Sequence, residues 1–151
     1  MYSERLKELG IDLPVIPKPL ASYVPGKLSG NYIYTSGQLP SVNGVLNYKG
    51  KVTVDITEED AIKAASISAI NCIAVAAQLA GGIDNIEEIV KVVVFVNSPD
   101  GYGDQPKIAN GASNLLLEIF GEKGKHARSA VGVTSLPLNA VVEIEMIAKI
   151  K

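Results

Sequence analysis

The chain has 151 residues, of which 47% are hydrophobic and 20% charged, and this length and composition suit one domain with a substantial core. Its formal net charge of -2 leaves no basic surplus for an extended nucleic-acid surface. Cys72 is the single cysteine, which excludes an internal disulfide, and His126 is the single histidine, so no metal centre is expected.

No charged and then apolar segment typical of a signal peptide opens the chain, so a cytosolic protein is expected. The apolar stretch 61–82 is interrupted by Lys63, Asn71 and Gln78, which indicates a buried helix rather than a membrane span. We expect one domain over residues 1–151 that binds neither membrane nor nucleic acid. Residues 1–20 would form an N-terminal helix and a proline-rich arm.

The N-terminal third predicts a short helix over residues 3–9 and an extended arm over residues 13–19, where three prolines prevent a helix. The arm leads to Tyr23. Residues 31–36 are rich in β-branched and aromatic side chains, and the Asn43-Gly44 pair is a strong tight-turn signal. Two or three short strands are expected in this segment.

The middle of the chain predicts a long helix followed by a strand. Thr57 is a suitable N-cap, the acidic residues 58–60 favour the positive end of a helix dipole, and Gly81-Gly82 would end the helix near Ala80. Residues 89–96 are apolar except for Lys91, which indicates a central strand that is apolar on both faces.

The C-terminal third predicts a helix and a hairpin. Residues 98–104 have a loop composition, Asp104 can cap a helix with Pro106 in its first turn, and Gly121 can end that helix. Strands over residues 128–133 and 141–150 are joined by residues 134–139, a length that suits an antiparallel hairpin.

This order of elements predicts an α+β fold, in which two helices cover one face of a mixed sheet. The last strand carries an apolar strip that we expect on the face without helices. Burial of that strip between subunits predicts a symmetric oligomer. The strip consists of Val142, Ile144, Met146, Ala148 and Ile150.

Arg128 is the most informative candidate site residue. A strand arginine near the interior needs an anion, and guanidinium grips a carboxylate through two hydrogen bonds. Pairing of the two strands as a hairpin would place Glu143 and Glu145 near Arg128 and Ala130. Arg128 would therefore bind either an internal acid or a small acidic ligand.

Two groups of residues resemble the RidA/YjgF family. The first is GN at residues 30–31 with TSGQLP at residues 35–40, and the second is ARS at 127–129 with LP at 136–137 and VEIE at 142–145. The resemblance covers nearly the whole chain, apart from an N-terminal extension and a longer loop at residues 100–106. Residues 22–25 read SYVP, where the best-known members have a Pro-Tyr-Ser-like turn. Together with the N-terminal extension, this difference is similar to a longer, divergent branch of the family.

The resemblance implies a chorismate-mutase-like homotrimer with a ligand cleft at each subunit interface. Active relatives hydrolyse reactive 2-imino acids, such as 2-aminoacrylate or 2-iminobutyrate, to 2-keto acids and ammonia without a cofactor. By position, Arg128 would bind the substrate carboxylate, Glu143 would orient water, and Tyr23 would close the cleft. Ala130 stands where the best-known imine deaminases commonly have cysteine. The substrate-binding residues would be Tyr23, Ser36, Gly37, Asn110 and Ala130.

Structural readings compete with these roles. Glu143 and Glu145 could be solvated or interface residues, His126 is more typical of a surface loop, and Cys72 is more typical of a small core residue. The alternative function is that of a non-catalytic trimer that binds a small carboxylate or has a regulatory role. A ribonuclease or translation inhibitor, the activity attached to the family's older name, has no support in the charge pattern.

Overall fold

The computed structural model describes residues 1–17 and 22–151. Lys18 and Pro19, the end of the predicted arm, lie outside these residues, whereas residues 11–17 have no regular structure. The helices and strands, in chain order, are α1 (Tyr2–Glu8), β1 (Gly26–Ser29), β2 (Tyr32–Thr35), β3 (Ser41–Val42), β4 (Val45–Leu46), α2 (Glu58–Ala80), β5 (Ile86–Asn97), α3 (Gln105–Phe120), β6 (Ala127–Val133) and β7 (Val142–Ile150).

Five strands form one mixed sheet in the order β1-β2-β7-β5-β6. The pair β5 and β6 is parallel, and the other three neighbouring pairs are antiparallel. Strands β3 and β4 form a separate hairpin whose turn residues, Asn43 and Gly44, have φ values of 52° and 76°. The tight turn predicted from this dipeptide is confirmed.

Helix α2 begins and ends where the sequence predicts. The Thr57 side chain accepts a hydrogen bond of 3.1 Å from the Asp60 backbone N–H, and Gly81 adopts a left-handed φ of 78° at the C-terminal end. The helix is long and apolar enough to cross a membrane, but 56% of its most apolar window is buried inside the protein. It therefore fits the expected core helix.

The core lies between the sheet and the pair α2 and α3. Alternate residues of β5, among them Val92 and Val94, are fully buried under the helices. The two helices approach closely at Gly111, where an added Cβ would lie 2.1 Å from the Ile62 carbonyl oxygen. Both helices therefore cover one face, as the sequence predicts.

The predicted hairpin of the last two strands is wrong. Strand β6 pairs with β5 in parallel, and β7 pairs with the other edge of β5. The β5-α3-β6 segment is thus a crossover unit, in which an intervening helix returns the chain to a parallel neighbour. The length of the loop at residues 134–139 permits a hairpin but does not require one. The same six residues can also cross the end of β5 and join β6 on one side of it to β7 on the other.

The predicted apolar strip on the open face is also wrong. Its first four members, Val142, Ile144, Met146 and Ala148, face the helices and are at most 2% exposed. The face without helices instead carries Tyr32, Tyr34 and Val131, whose exposed fractions are 40%, 46% and 44%, and half-buried Phe95. An apolar surface therefore does remain on the open face, although it is built from different residues.

Candidate functional site

Arg128 lies on the edge strand β6 and points to the helix side of the sheet. Its strand partner is the buried Val92, and residues paired across parallel strands share a face. The guanidinium Nη1 donates to Asn110 Oδ1 at 2.9 Å and to Ser113 Oγ at 3.1 Å, both on α3. Within residues 1–17 and 22–151, Arg128 forms no ion pair. The internal pairing with Glu143 or Glu145 is therefore not found in this chain.

His126 is connected to Arg128 through Ser113. The imidazole Nε2 lies 2.9 Å from Ser113 Oγ, and Nδ1 lies 2.7 Å from the Gly124 carbonyl oxygen. Histidine 126 is thus held by two hydrogen bonds rather than free on a surface loop. Sequence reasoning missed Ser113, although its spacing of three residues from Asn110 places both on one face of a helix.

A cavity of about 400 Å³ adjoins these side chains. Ser113, His126 and Arg128 contribute polar groups to its wall, and Leu117 contributes an apolar surface. The cavity has the size of a small-ligand site. Asn114, Gly124 and Lys125 complete its lining.

Glu143 lies on the open face of the sheet. It alternates with the buried Val142 and Ile144, and it pairs across the strands with Phe95. Gly37 packs on its carboxyl group, because an added Cβ at Gly37 would lie 2.7 Å from Glu143 Cδ. Partial burial raises the pKa of the Glu143 carboxyl, and the neighbouring Glu145 raises it further.

Ser36 ties the segment after Tyr23 to the same region. Its hydroxyl donates to the Val24 carbonyl at 2.6 Å, and its backbone N–H donates to the Pro25 carbonyl at 2.7 Å. The side chain of Tyr23 is 66% exposed. Ser36 and Gly37 are thus fixed beside Glu143, whereas the Tyr23 ring remains available to a ligand or a second subunit.

The candidate residues therefore form two groups on opposite faces of the sheet. We call Arg128, Asn110, Ser113 and His126 the arginine half-site, and Tyr23, Ser36, Gly37 and Glu143 the glutamate half-site. Ala130 belongs to the first group, because it shares the face of Arg128 and is half-buried opposite the buried Val94. The expected proximity of Glu143 to Arg128 within one chain is wrong.

Cys72 is fully buried, and its thiol donates to the Ile144 carbonyl at 3.2 Å. Burial raises the pKa of this thiol to about 12, which disfavours the nucleophilic thiolate. Over the described ranges, no three His, Cys, Asp or Glu side chains are grouped as metal ligands.

Residues 3–150 match the family model described as "YjgF/chorismate mutase-like, putative endoribonuclease". The chain belongs to this family. It is 38% identical over 148 residues to Protein TCP17 of Trypanosoma cruzi, covering 96% of this chain and 91% of that protein. It is 31% identical to the "Putative regulator AldR" of Lactococcus lactis, covering 89% of this chain and 92% of that protein. It is also 31% identical to the 2-iminobutanoate/2-iminopropanoate deaminase of Dermatophagoides farinae, covering 93% and 95%.

Solved structures show the same fold at two levels of similarity. Atu1372 of Agrobacterium tumefaciens, a protein of unknown function, has a TM-score of 0.91 at 44% identity and covers 99% of this chain and 92% of its own. A Shewanella oneidensis protein described as a putative endoribonuclease has a TM-score of 0.93 at 33% identity and covers 99% of both chains. Escherichia coli TdcF with bound serine has a TM-score of 0.61 at 26% identity, covering 89% and 93%.

Proposed function

We propose that this protein hydrolyses reactive 2-imino acids or their enamine forms, of the 2-aminoacrylate or 2-iminobutyrate type, to 2-keto acids and ammonia. Arg128 binds the substrate carboxylate, and Glu143 activates water and transfers protons. The reaction needs no cofactor. Membership of a family that includes the mite 2-iminobutanoate/2-iminopropanoate deaminase supports this reaction class.

The arginine half-site carries the proposal. Arg128 is held by Asn110 and Ser113, two neutral acceptors, beside a cavity of about 400 Å³. A guanidinium held only by neutral groups keeps its full positive charge for a ligand, and a carboxylate is the anion whose geometry matches its fork of donors. TdcF, a relative of known structure, was crystallised with serine, which also bears a carboxylate.

The two half-sites require a second copy of the chain to meet. Arg128 and Glu143 point to opposite faces of the sheet, so one small metabolite cannot contact both in a single protomer. The exposed Tyr32, Tyr34 and Val131 on the open face support its burial against another protomer. In the proposed homotrimer, the glutamate half-site of one protomer completes the arginine half-site of its neighbour.

Hydrolysis of the iminium follows from the chemistry of the two half-sites. A water oxygen bonds to C2 while the Glu143 carboxylate takes a water proton, and the C=N π electrons move to nitrogen. The carboxyl then returns its proton to nitrogen, the C2–N bond breaks, and ammonia leaves with the bonding pair. The hydroxyl group then gives its proton to solvent water, which leaves the keto acid. The raised pKa of Glu143 favours a group that both accepts and donates a proton.

A second candidate is a non-catalytic trimer that binds a small carboxylate. The relative described as a regulator in Lactococcus lactis and the exposed position of Arg128 support this alternative. A ribonuclease remains the weakest candidate, because the chain has no basic surplus, although the family description names that activity.

Decay of 2-aminoacrylate, generated in the cuvette from serine or cysteine by a lyase, tests the proposal. We expect the wild-type protein to accelerate the decay and Arg128→Ala to reduce the acceleration at least about 100-fold, since orientation by the carboxylate anchor is lost. Calorimetry with 2-ketobutyrate separates the second candidate, which predicts Arg128-dependent binding without turnover. Rates for both proteins equal to the rate without protein would exclude the enzyme.

A further inference from the structure

The Nη1 group of Arg128 already makes two hydrogen bonds inside the protein. It donates to Asn110 Oδ1 at 2.9 Å and to Ser113 Oγ at 3.1 Å. Within the described part of the chain, Nε and Nη2 of the same side chain make no hydrogen bond. The guanidinium is therefore fixed at one end and open along the edge formed by Nε and Nη2.

The direction of each hydrogen in this chain of contacts follows from the groups themselves. The Gly124 carbonyl can only accept, so His126 Nδ1 carries a hydrogen and donates it. In the neutral ring, Nε2 is then an acceptor and takes the hydroxyl hydrogen of Ser113. Because Arg128 can only donate, the lone pairs of Ser113 Oγ receive the Nη1 hydrogen.

We infer that Ser113 and His126 are positioning residues for the carboxylate-binding Arg128, an inference that rests on the proposed function of that arginine. His126 turns the Ser113 hydroxyl so that its lone pairs face the guanidinium. Ser113 and Asn110 then hold Nη1, and the Nε and Nη2 edge is presented to the substrate carboxylate in a side-on, bidentate arrangement. Neither Ser113 nor His126 is assigned contact with the reacting atoms.

The surroundings agree with a positioning role. His126 and Ser113 are half-buried, whereas Arg128 is exposed on its edge strand, so the ordered end of the guanidinium is the one turned into the protein. An exposed arginine side chain otherwise carries considerable rotamer entropy, which a ligand would have to remove on binding. Fixing Nη1 in the free protein lowers that cost in advance.

A ligand-free measurement tests the positioning directly. In ¹⁵N spectra of the whole protein, held Nη groups of Arg128 give two resolved signals, which Arg128→Lys assigns by their loss. We expect the two signals to merge into one averaged signal in Ser113→Ala and in His126→Leu. Ser113→Thr and His126→Gln should keep two resolved signals, because a threonine hydroxyl and a glutamine amide oxygen supply equivalent groups. Averaged signals in the wild type, or resolved signals in every variant, would overturn the inference.

Binding of 2-ketobutyrate, measured by calorimetry, connects the positioning to function. We expect Ser113→Ala and His126→Leu each to raise Kd about tenfold, since a hydrogen bond to a charged group is lost. Their double variant should be no weaker than either single variant, because both act through one chain. Glu118→Gln is the matched control, since Glu118 is exposed on the same helix, α3, but does not line the cavity, and its replacement should leave Kd unchanged.

The outcomes separate this inference from the proposed function. If binding depends on Arg128 but Ser113→Ala and His126→Leu bind 2-ketobutyrate as tightly as Glu118→Gln does, the inference is overturned and the proposed function is retained. Binding that does not change in Arg128→Ala removes the proposed role of Arg128 as the carboxylate anchor, and with it the role of the pair toward substrate. The signals of Arg128 then still report whether the pair orders the guanidinium.

Discussion

Arg128 and Glu143 lie on opposite faces of one sheet, with β5 between the strands that carry them. Arg128 pairs with Val92, whereas Glu143 pairs with Phe95, three residues further along β5. Two strand spacings and three residues separate the two positions by about 10 Å across the sheet and about 10 Å along it. A site that uses both residues on one small molecule therefore needs two chains.

Assembly through the open face predicts that a charge placed there gives monomers. Val131 is 44% exposed on this face, and an aspartate at this position would have to be buried without a partner in the proposed trimer. We expect Val131→Asp to change the mass measured by light scattering from that of a trimer to that of a monomer. Val54→Asp is the control, because Val54 is 64% exposed outside the five-stranded sheet. A trimer that persists in Val131→Asp would contradict burial of this face.

Close contact between α2 and α3 predicts a large loss of stability in Gly111→Ala. The new Cβ would lie 2.1 Å from the Ile62 carbonyl oxygen, so the helices must separate. We expect the free energy of unfolding to fall by about 2–3 kcal/mol. Gly103→Ala, where no heavy atom lies within 4 Å of the added Cβ, should change it by less than about 0.5 kcal/mol. Equal urea midpoints for the two variants would contradict the close contact of α2 and α3 at Gly111.

The raised pKa of Glu143 gives a pH dependence of stability with a definite sign. A carboxyl whose pKa is higher in the folded than in the unfolded state favours folding at low pH, and this contribution is lost as pH rises through the folded pKa. Glu143→Gln removes the penalty. Its free energy of unfolding relative to wild type should therefore increase between pH 4 and pH 7.

The exposed Glu118 on α3 provides the comparison, and Glu118→Gln should show no such trend. Urea unfolding at several pH values measures both variants. A relative stability of Glu143→Gln that decreases as pH rises would mean that Glu143 is stabilised, not penalised, in its charged form.

The contact between Gly37 and Glu143 predicts that a substitution at Gly37 lowers turnover in the proposed enzyme much more than it weakens ligand binding. An alanine Cβ at this position would lie 2.7 Å from Glu143 Cδ and must displace the carboxyl. We expect Gly37→Ala to lower kcat for 2-aminoacrylate at least about tenfold, because a general acid and base group is misplaced. The Kd of 2-ketobutyrate at Arg128 should change much less. If kcat is retained, Glu143 does not transfer the protons.

The sequence predicts the local structure well because the relevant signals are local. The Thr57 cap, the Gly81 end of α2 and the Asn43-Gly44 turn each depend on a few adjacent residues, and each is confirmed. The pairing of β6 is different. Alternation of apolar residues defines a strand but not its neighbour, and the choice between a hairpin and a crossover depended on where α3 packs.

The pairing of β6 with β5 also determines on which face of the sheet each candidate site residue lies. Arg128 and Glu143 are correctly placed on strands, but exchanging β6 from the edge of β7 to the edge of β5 moves them to opposite faces. The hydrogen bonds of Arg128 to Asn110 and Ser113 follow from the same crossover, which brings α3 beside β6. The spacing of the motifs could predict neither the opposite faces of Arg128 and Glu143 nor the hydrogen bonds of Arg128, because spacing along the chain does not report which helix covers a strand.

Mixed trimers test most directly whether Arg128 of one chain works with Glu143 of another. Arg128→Ala and Glu143→Gln are expected to be nearly inactive alone toward 2-aminoacrylate. After unfolding and refolding a 1:1 mixture, about one quarter of the sites in random trimers should combine an intact Arg128 with an intact Glu143 from the neighbour. We therefore predict recovery of about a quarter of wild-type activity in the refolded mixture. Activity no higher than that of the two separate variants would contradict a site shared between chains.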